Sequence, residues 1–172
     1  QYNTFFDDAE KSVSYDQEIV DRVKVARLSI DYAILEASKK GLTEKYKLIA
    51  ENDQGVMNVN PWVKNKLENF YLTFNKSNIT IMNEMGFTVE EYYNSYNKAI
   101  KVAALPNKAK GKKVTLLTKP KKYANEDPQT LTDGALGGNG FYANWLGFKG
   151  NNLEAIIDLE AEESISSIST AF

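Results

Sequence analysis

Asp133, followed by Gly134, is the residue of this chain best placed to do chemistry. A short carboxylate on a turn can offer hard oxygens to a cation, or simply bond the backbone two residues on while the glycine takes positive φ. Downstream, Phe141, Tyr142, Trp145 and Phe148 cluster. Aromatic faces of this kind stack on the C–H face of a sugar ring or pack into a core, and core packing is the commoner use of such large areas. Tyr142 and Trp145 are the candidates for carbohydrate contact. Histidine and cysteine are both absent. Ser-His-Asp and Cys-His triads, thiolate nucleophiles, zinc fingers and imidazole acid–base catalysis are therefore excluded within these residues. Catalysis would have to come from paired carboxylates, a lysine or a tyrosine. The tight carboxylate groups, Asp7/Asp8/Glu10 and Glu90/Glu91, are sequence neighbours in or near helical first turns, where the helix dipole favours negative charge. A glycosidase instead needs two carboxylates facing each other roughly 5–10 Å apart across a cleft. No catalytic residue is assigned.

The elements that must position these side chains change character along the chain. Asp7 to Val13 reads as the tail of a helix. Ser14 with Gln17 then forms a capping-box pattern ahead of an apolar stripe at Ile19, Val20, Val23, Ala26, Ile30, Ala33, Ile34 and Ala37, closed by Gly41. Leu42 to Ala50 reads as a shorter helix. Asn60-Pro61 opens another as N-cap and first helical residue, with Trp62, Val63, Leu67, Phe70, Tyr71 and Phe74 as its buried face. Ile79 to Met82 reads as a short strand or an extended connector. Thr88 and Glu91 form a second capping box, and the helix behind it carries Tyr92, Tyr93, Tyr96, Ile100 and Ala103 and ends near Leu105-Pro106. The tyrosine spacing suggests helix–helix packing with hydroxyls at the rim.

After Pro106 a lysine-rich stretch, 107–113, reads as a linker, and the periodicity becomes strand-like at Val114–Thr118, Leu153–Leu159 and Ser164–Thr170. The expected fold class is α+β: an antiparallel helical bundle over residues 1–106 and a truncated β-sandwich segment over 114–172. Lys108, Lys110, Lys112, Lys113, Lys119, Lys121 and Lys122 are dense, but arginine is missing from the run and Tyr123 is its lone aromatic neighbour. Forked recognition of anions is then unavailable, the net charge is −2, and no nucleic-acid partner is expected. No apolar window approaches the roughly 20 residues of a membrane span.

The run LTDGALGGNGFYANWLGFKGNNLEAIIDL, residues 131–159, resembles the opening of a discoidin-type domain, the galactose-binding-like sandwich also called the coagulation factor type C domain. The resemblance covers about residues 114–172, and it implies that Asp133 is a ligand to a structural calcium, with backbone carbonyls completing the shell and some ligands coming from near the domain's C-terminus, beyond Phe172. It also implies that Trp145 packs into the sandwich. The strings DDAEKSVSYDQEIVDRVKVARLSIDYAILE, NEMGFTVEEY and VTLLTKPKKYANEDPQTLTDG extend the likeness to the whole chain. It is similar to the C-terminal region of an uncharacterised exported Bacteroidetes family in which a glycoside-hydrolase-like barrel precedes a helical segment and a discoidin-type domain. The resemblance implies a non-catalytic ancillary region of an extracellular or periplasmic carbohydrate-active protein, with carbohydrate as partner through the full-length chain. The alternative is a free-standing helical protein–protein interaction module. The strands of an incomplete sandwich should also pack onto the helical half or pair with a neighbouring molecule, burying Ile156, Leu159 and Ile168.

Overall fold

The computed structural model describes residues 2–39, 46–51, 57–121, 127–134 and 145–170. The fold is mixed α+β, and the chain divides into two compact units, residues 1–100 and 101–172.

The first unit contains α1 (Tyr2–Ser12), α2 (Gln17–Lys39), a ladder of β1 (Ile49–Glu51) with β2 (Met57–Val59), α3 (Pro61–Lys76) and most of α4 (Val89–Ala103). Local signals explain most of the helix starts. Asn60 accepts from the Trp62 N–H at 3.0 Å with Pro61 in the first turn, as the Asn-Pro pair predicts. At α4 the Thr88 and Glu91 side chains each accept the other's backbone N–H, at 3.2 and 2.9 Å, which completes a reciprocal capping box. The start of α2 differs from expectation. Asp16, not Ser14, receives the Glu18 and Ile19 amides, at 3.0 and 3.2 Å. A carboxylate at N-cap also complements the helix dipole, which a serine hydroxyl does only weakly.

The expected helix over Leu42–Ala50 is also corrected. Tyr46 to Leu48 make a turn and Ile49 begins β1, while residues 42–45 and Gly41 lie outside the described residues. Leu48 and Ile49 are buried here, and Asn60 holds the incoming segment by donating its N–H to Leu48 O and its Nδ2 to Lys47 O, both at 3.0 Å. Long-range bonds of this kind override helical propensity. Residues 79–82 form no strand, and the segment is closed instead by the Met82 N–H donating to Phe87 O at 2.7 Å.

The largest difference concerns the face of α2. The stripe read from apolar periodicity is not its buried line. Ile19 is exposed, and Val23, Ile30 and Ile34 are half-buried. The buried residues are Arg27, Leu28, Asp31, Leu35 and Ser38. The helix is turned by one residue, about 100°, because Arg27 and Asp31 neutralise each other and can be enclosed. Against this line α3 presents Val63, Leu67, Phe70 and Phe74, and α4 presents Val89, Tyr92, Tyr96, Ala99 and Ile100. Burial of Leu67, Phe70 and Ile100 agrees with the sequence reading.

In the second unit β3 (Lys113–Leu116) pairs antiparallel with β4 (Ala155–Asp158); β4 lies inside its expected span, and β3 overlaps its own but starts one residue earlier, at Lys113, which was read as linker. A 3-10 turn, Pro128–Leu131, is capped by Asp127 accepting the Gln129 N–H at 3.0 Å. Ser164–Thr170 forms no strand. Its two isoleucines, Ile165 and Ile168, are three apart, which places them on opposite faces of an extended chain, and both are exposed. Ile156 is likewise exposed and Leu159 only half-buried, so the group is not buried within the single chain.

Truncation at the observed core line should separate it from the apolar stripe. Leu35→Ala should cost about 3 kcal/mol in urea unfolding, whereas Ile19→Ala should cost under about 1 kcal/mol. Comparable losses would contradict the rotation of α2.

Candidate functional site

A charged cluster lies at the meeting of α1, α2 and α3. The Arg27 guanidinium reaches Asp7 and Glu10, each at 2.8 Å, and Asn3 Oδ1. Its Nε stands 3.4 Å from Asp31 Oδ1, without hydrogen-bond geometry. Asp31 in turn accepts from Lys66 Nζ at 2.8 Å. Burial works against the arginine's charge, but the bonds to Glu10 and Asp7 and the nearby Asp31 outweigh it, so its pKa lies above the ordinary value. The bonds from Arg27 to Asp7 and Glu10 and from Lys66 to Asp31 each join one helix to another.

A second cluster joins α2 to α4. Glu36 Oε1 accepts from Lys39 Nζ at 2.7 Å and from the Tyr92 hydroxyl at 2.8 Å. Lys39 Nζ sits 5.0 and 4.9 Å from the ring centres of Tyr92 and Tyr96, close enough for cation–π attraction. The Tyr96 hydroxyl donates to Leu35 O at 2.9 Å, and Tyr32 meets Tyr92 with centroids 5.3 Å apart. Burial first, then the negative charge of Glu36, pushes Tyr92, Tyr96 and Tyr32 above the ordinary phenol value. A tyrosine acting as base or nucleophile needs the opposite shift. Tyr92 and Tyr96 are held as neutral hydrogen-bond donors.

Nearer the surface, α3 and α4 are clasped by a crossed pair. The rings of Tyr71 and Tyr93 lie 4.5 Å apart, the Tyr71 hydroxyl donates to Glu90, and the Tyr93 hydroxyl donates to Glu68 at 2.5 Å. The bonds to Glu90 and Glu68 respectively raise the two phenol pKa values. Asn94 Nδ2 adds a contact to Glu90 at 3.3 Å. The sequence reading expected packed tyrosines with hydroxyls at the rim; Tyr71 and Tyr93 are so arranged, whereas Tyr92 and Tyr96 are buried and their hydroxyls bond Glu36 and Leu35 O in the interior. It did not single out Glu68, Glu36, Arg27 or Asp31. The available signal was the i, i+4 spacing of Arg27 and Asp31, which marks a helical ion pair.

Of the residues named from sequence, Asp133 is exposed on the turn that follows the 3-10 segment. Gly134 has φ +79, as an Asp-Gly turn requires, and a Cβ there would stand 3.1 Å from Lys110 Cε. Trp145 is half-buried. Tyr142 lies outside the described residues, as do Phe141 and residues 135–140. Calcium takes about six to eight oxygens. Among the described residues no three acidic side chains converge on Asp133 or elsewhere in a way that could hold a metal. The lysine-rich stretch belongs to the second unit, where Lys108 pairs with Glu163 at 2.6 Å and Lys112 with Glu160 at 2.5 Å. No described helix is long and apolar enough to cross a membrane. Comparisons with family models, curated proteins and solved structures return no match.

The raised phenols make alkaline stability a readout of the α2–α4 cluster. Their folded pKa values exceed the unfolded value of about 10, so their contribution is complete below that pH and is lost as pH rises beyond it, when the unfolded chain releases protons first. Unfolding free energy should fall steeply above about pH 10, and Tyr92→Phe should flatten the fall. That variant should also cost about 1–2 kcal/mol at neutral pH through the lost bond to Glu36. Ultraviolet titration in which Tyr92 and Tyr96 ionise before unfolding would contradict this assignment.

Proposed function

We propose that this chain is a non-catalytic, ancillary region of an exported carbohydrate-active protein. The helical unit serves as a rigid brace, and the second unit is part of a carbohydrate-binding-like module. The supporting observation is where the chemically able side chains sit. Arg27 bonds Asp7 and Glu10 of α1, Asp31 accepts from Lys66 of α3, and Glu36 accepts from Tyr92 of α4. A brace needs exactly fixed helices and no reactive group held in reserve. The discoidin-like order of Asp133-Gly134, Trp145 and the Leu153–Leu159 strand supports the carbohydrate association and the extracellular or periplasmic setting. Structural calcium at Asp133 belongs to the same proposal, with the other ligands supplied by a longer chain.

A second reading, a protein–protein interaction module, is favoured by the exposed apolar residues Leu117, Ile156, Ile165 and Ile168. Both readings expect no catalysis by these residues. Incubation of the chain with chromogenic glycosides should give no turnover, and turnover abolished by Glu68→Gln or Glu90→Gln would overturn both. Glycan-array binding by a longer parent, lost on deletion of residues 114–172, would favour the first. Binding unaffected by that deletion would count against it.

A further inference from the structure

The two edges of the β3–β4 ladder are treated differently. In an antiparallel ladder, residues alternate between those whose N–H and C=O face the neighbouring strand and those whose groups face away. The Leu117 N–H donates to Glu154 O at 2.8 Å. With Thr115 opposite Ile156 and Lys113 opposite Asp158, the inward-facing set is Lys113, Thr115 and Leu117 with Asp158, Ile156 and Glu154. Lys112 and Val114 therefore face outward on one edge, and Ala155 and Ile157 on the other.

The outer edge of β3 is occupied. Gln129 Oε1 accepts from the Val114 N–H at 3.0 Å, and its Nε2 donates to Lys112 O at 3.3 Å. Thr132 Oγ1 donates to the same carbonyl at 2.9 Å. The carboxamide of Gln129 stands where the peptide group of a third strand would stand. On the outer edge of β4, among the described residues, no hydrogen bond reaches the backbone of Ala155 or Ile157. All four residues of the strand are exposed.

The side chains around this edge are segregated. Leu153, Ala155, Ile157 and Leu159 alternate with Glu154, Ile156, Asp158 and Glu160, which gives one apolar face and one mostly acidic face. Between Leu153 and Glu163 there are five acidic residues and no lysine or arginine. Glu160 and Glu163 are paired with Lys112 and Lys108, and Glu154, Asp158 and Glu162 are exposed. A second copy laid antiparallel with Ile157 opposite Ile157 would bring Glu154 opposite Glu160, and like charges directly opposed are destabilising.

We propose that the outer edge of β4 is a strand-addition site for an extended segment of another protein in which apolar residues alternate with lysine or arginine. The backbone supplies the ladder bonds. The apolar side chains of the incoming strand extend the Ala155/Ile157 face, and its cations face Glu154 and Asp158. A two-stranded ladder is marginal alone, and a third strand is what independent stability requires.

The test uses the isotope-labelled chain and a capped peptide of alternating valine and lysine, with an alternating valine and glutamate peptide of equal length as control. With the basic peptide, the Ala155 and Ile157 amides should slow in hydrogen exchange by about tenfold or more, while Ile156, already in the ladder, changes little. Ile157→Pro removes the outward N–H and should abolish the effect. Glu154→Lys, an exposed change that leaves the backbone free to fold, should weaken peptide affinity several-fold. Equal protection by the acidic peptide, no response at the two amides, or protection that grows with the chain's own concentration without peptide would each overturn the proposal.

Discussion

The arrangement of the helical unit depends on one arginine. Arg27 is nearly enclosed, and it is reached from α1 by Asp7 and Glu10 and from its own helix by Asp31, which also receives Lys66 from α3. Two cations thus meet three carboxylates where three helices converge. Enclosing such a set gains little net stability over a well-packed apolar equivalent, because the desolvation cost is large. Its effect is geometric: unpaired charge at this depth is far costlier, so only arrangements that keep all partners in reach survive. Since Arg27 and Asp31 are four residues apart on α2, they fix the rotation of that helix about its axis. Leu28, Leu35 and Ser38 follow into the interior, and Ile19 is left at the surface.

The α2–α4 contact follows the same logic with weaker groups. Glu36 is held by Lys39 and Tyr92, and Tyr96 closes onto the backbone of Leu35. Aromatic area supplies the packing, with Phe70 touching Tyr32, Phe74 and Tyr92 at centroid distances of 6.5, 5.9 and 5.6 Å. The Tyr92 hydroxyl finds an acceptor in Glu36, so its large apolar body can be enclosed without stranding a polar atom. In the second unit side chains substitute for missing backbone partners. Gln129 and Thr132 satisfy the edge of β3, and the Thr118 hydroxyl donates to Asn152 O and accepts from the Glu154 N–H.

What was legible in the sequence is what is decided locally. The Asn60-Pro61 and Thr88/Glu91 caps act over three residues, and they appear as read. The turn at Gly134 is legible for the same reason, since an Asp-Gly pair specifies its own backbone. Strands β3 and β4 were recognisable from their β-branched runs, and the α+β class follows. The α2 rotation was not legible, because apolar counting excludes the charged residues that form its buried line. Asp16 was passed over for Ser14 although both types cap well. Ile49 in β1 was read as helical because its pairing with Val59 involves residues distant in sequence. Ser164–Thr170 was overread from composition, without a face on which its isoleucines could agree.

Carboxylates are used in contrasting ways by the two units, and the contrast bears on function. In the helical unit Asp31, Glu36, Glu68 and Glu90 each accept from a lysine or tyrosine on the same or a neighbouring helix. A carboxylate held in this way is anchored, and its phenol partners are driven further from ionisation. In the second unit Glu154 and Asp158 flank a strand whose outward backbone is unmet by the described residues. Charge beside open hydrogen-bonding groups steers and selects a partner more than it stabilises a fold. On the proposed strand addition, these two carboxylates would serve recognition at the edge of β4 that the described residues leave open.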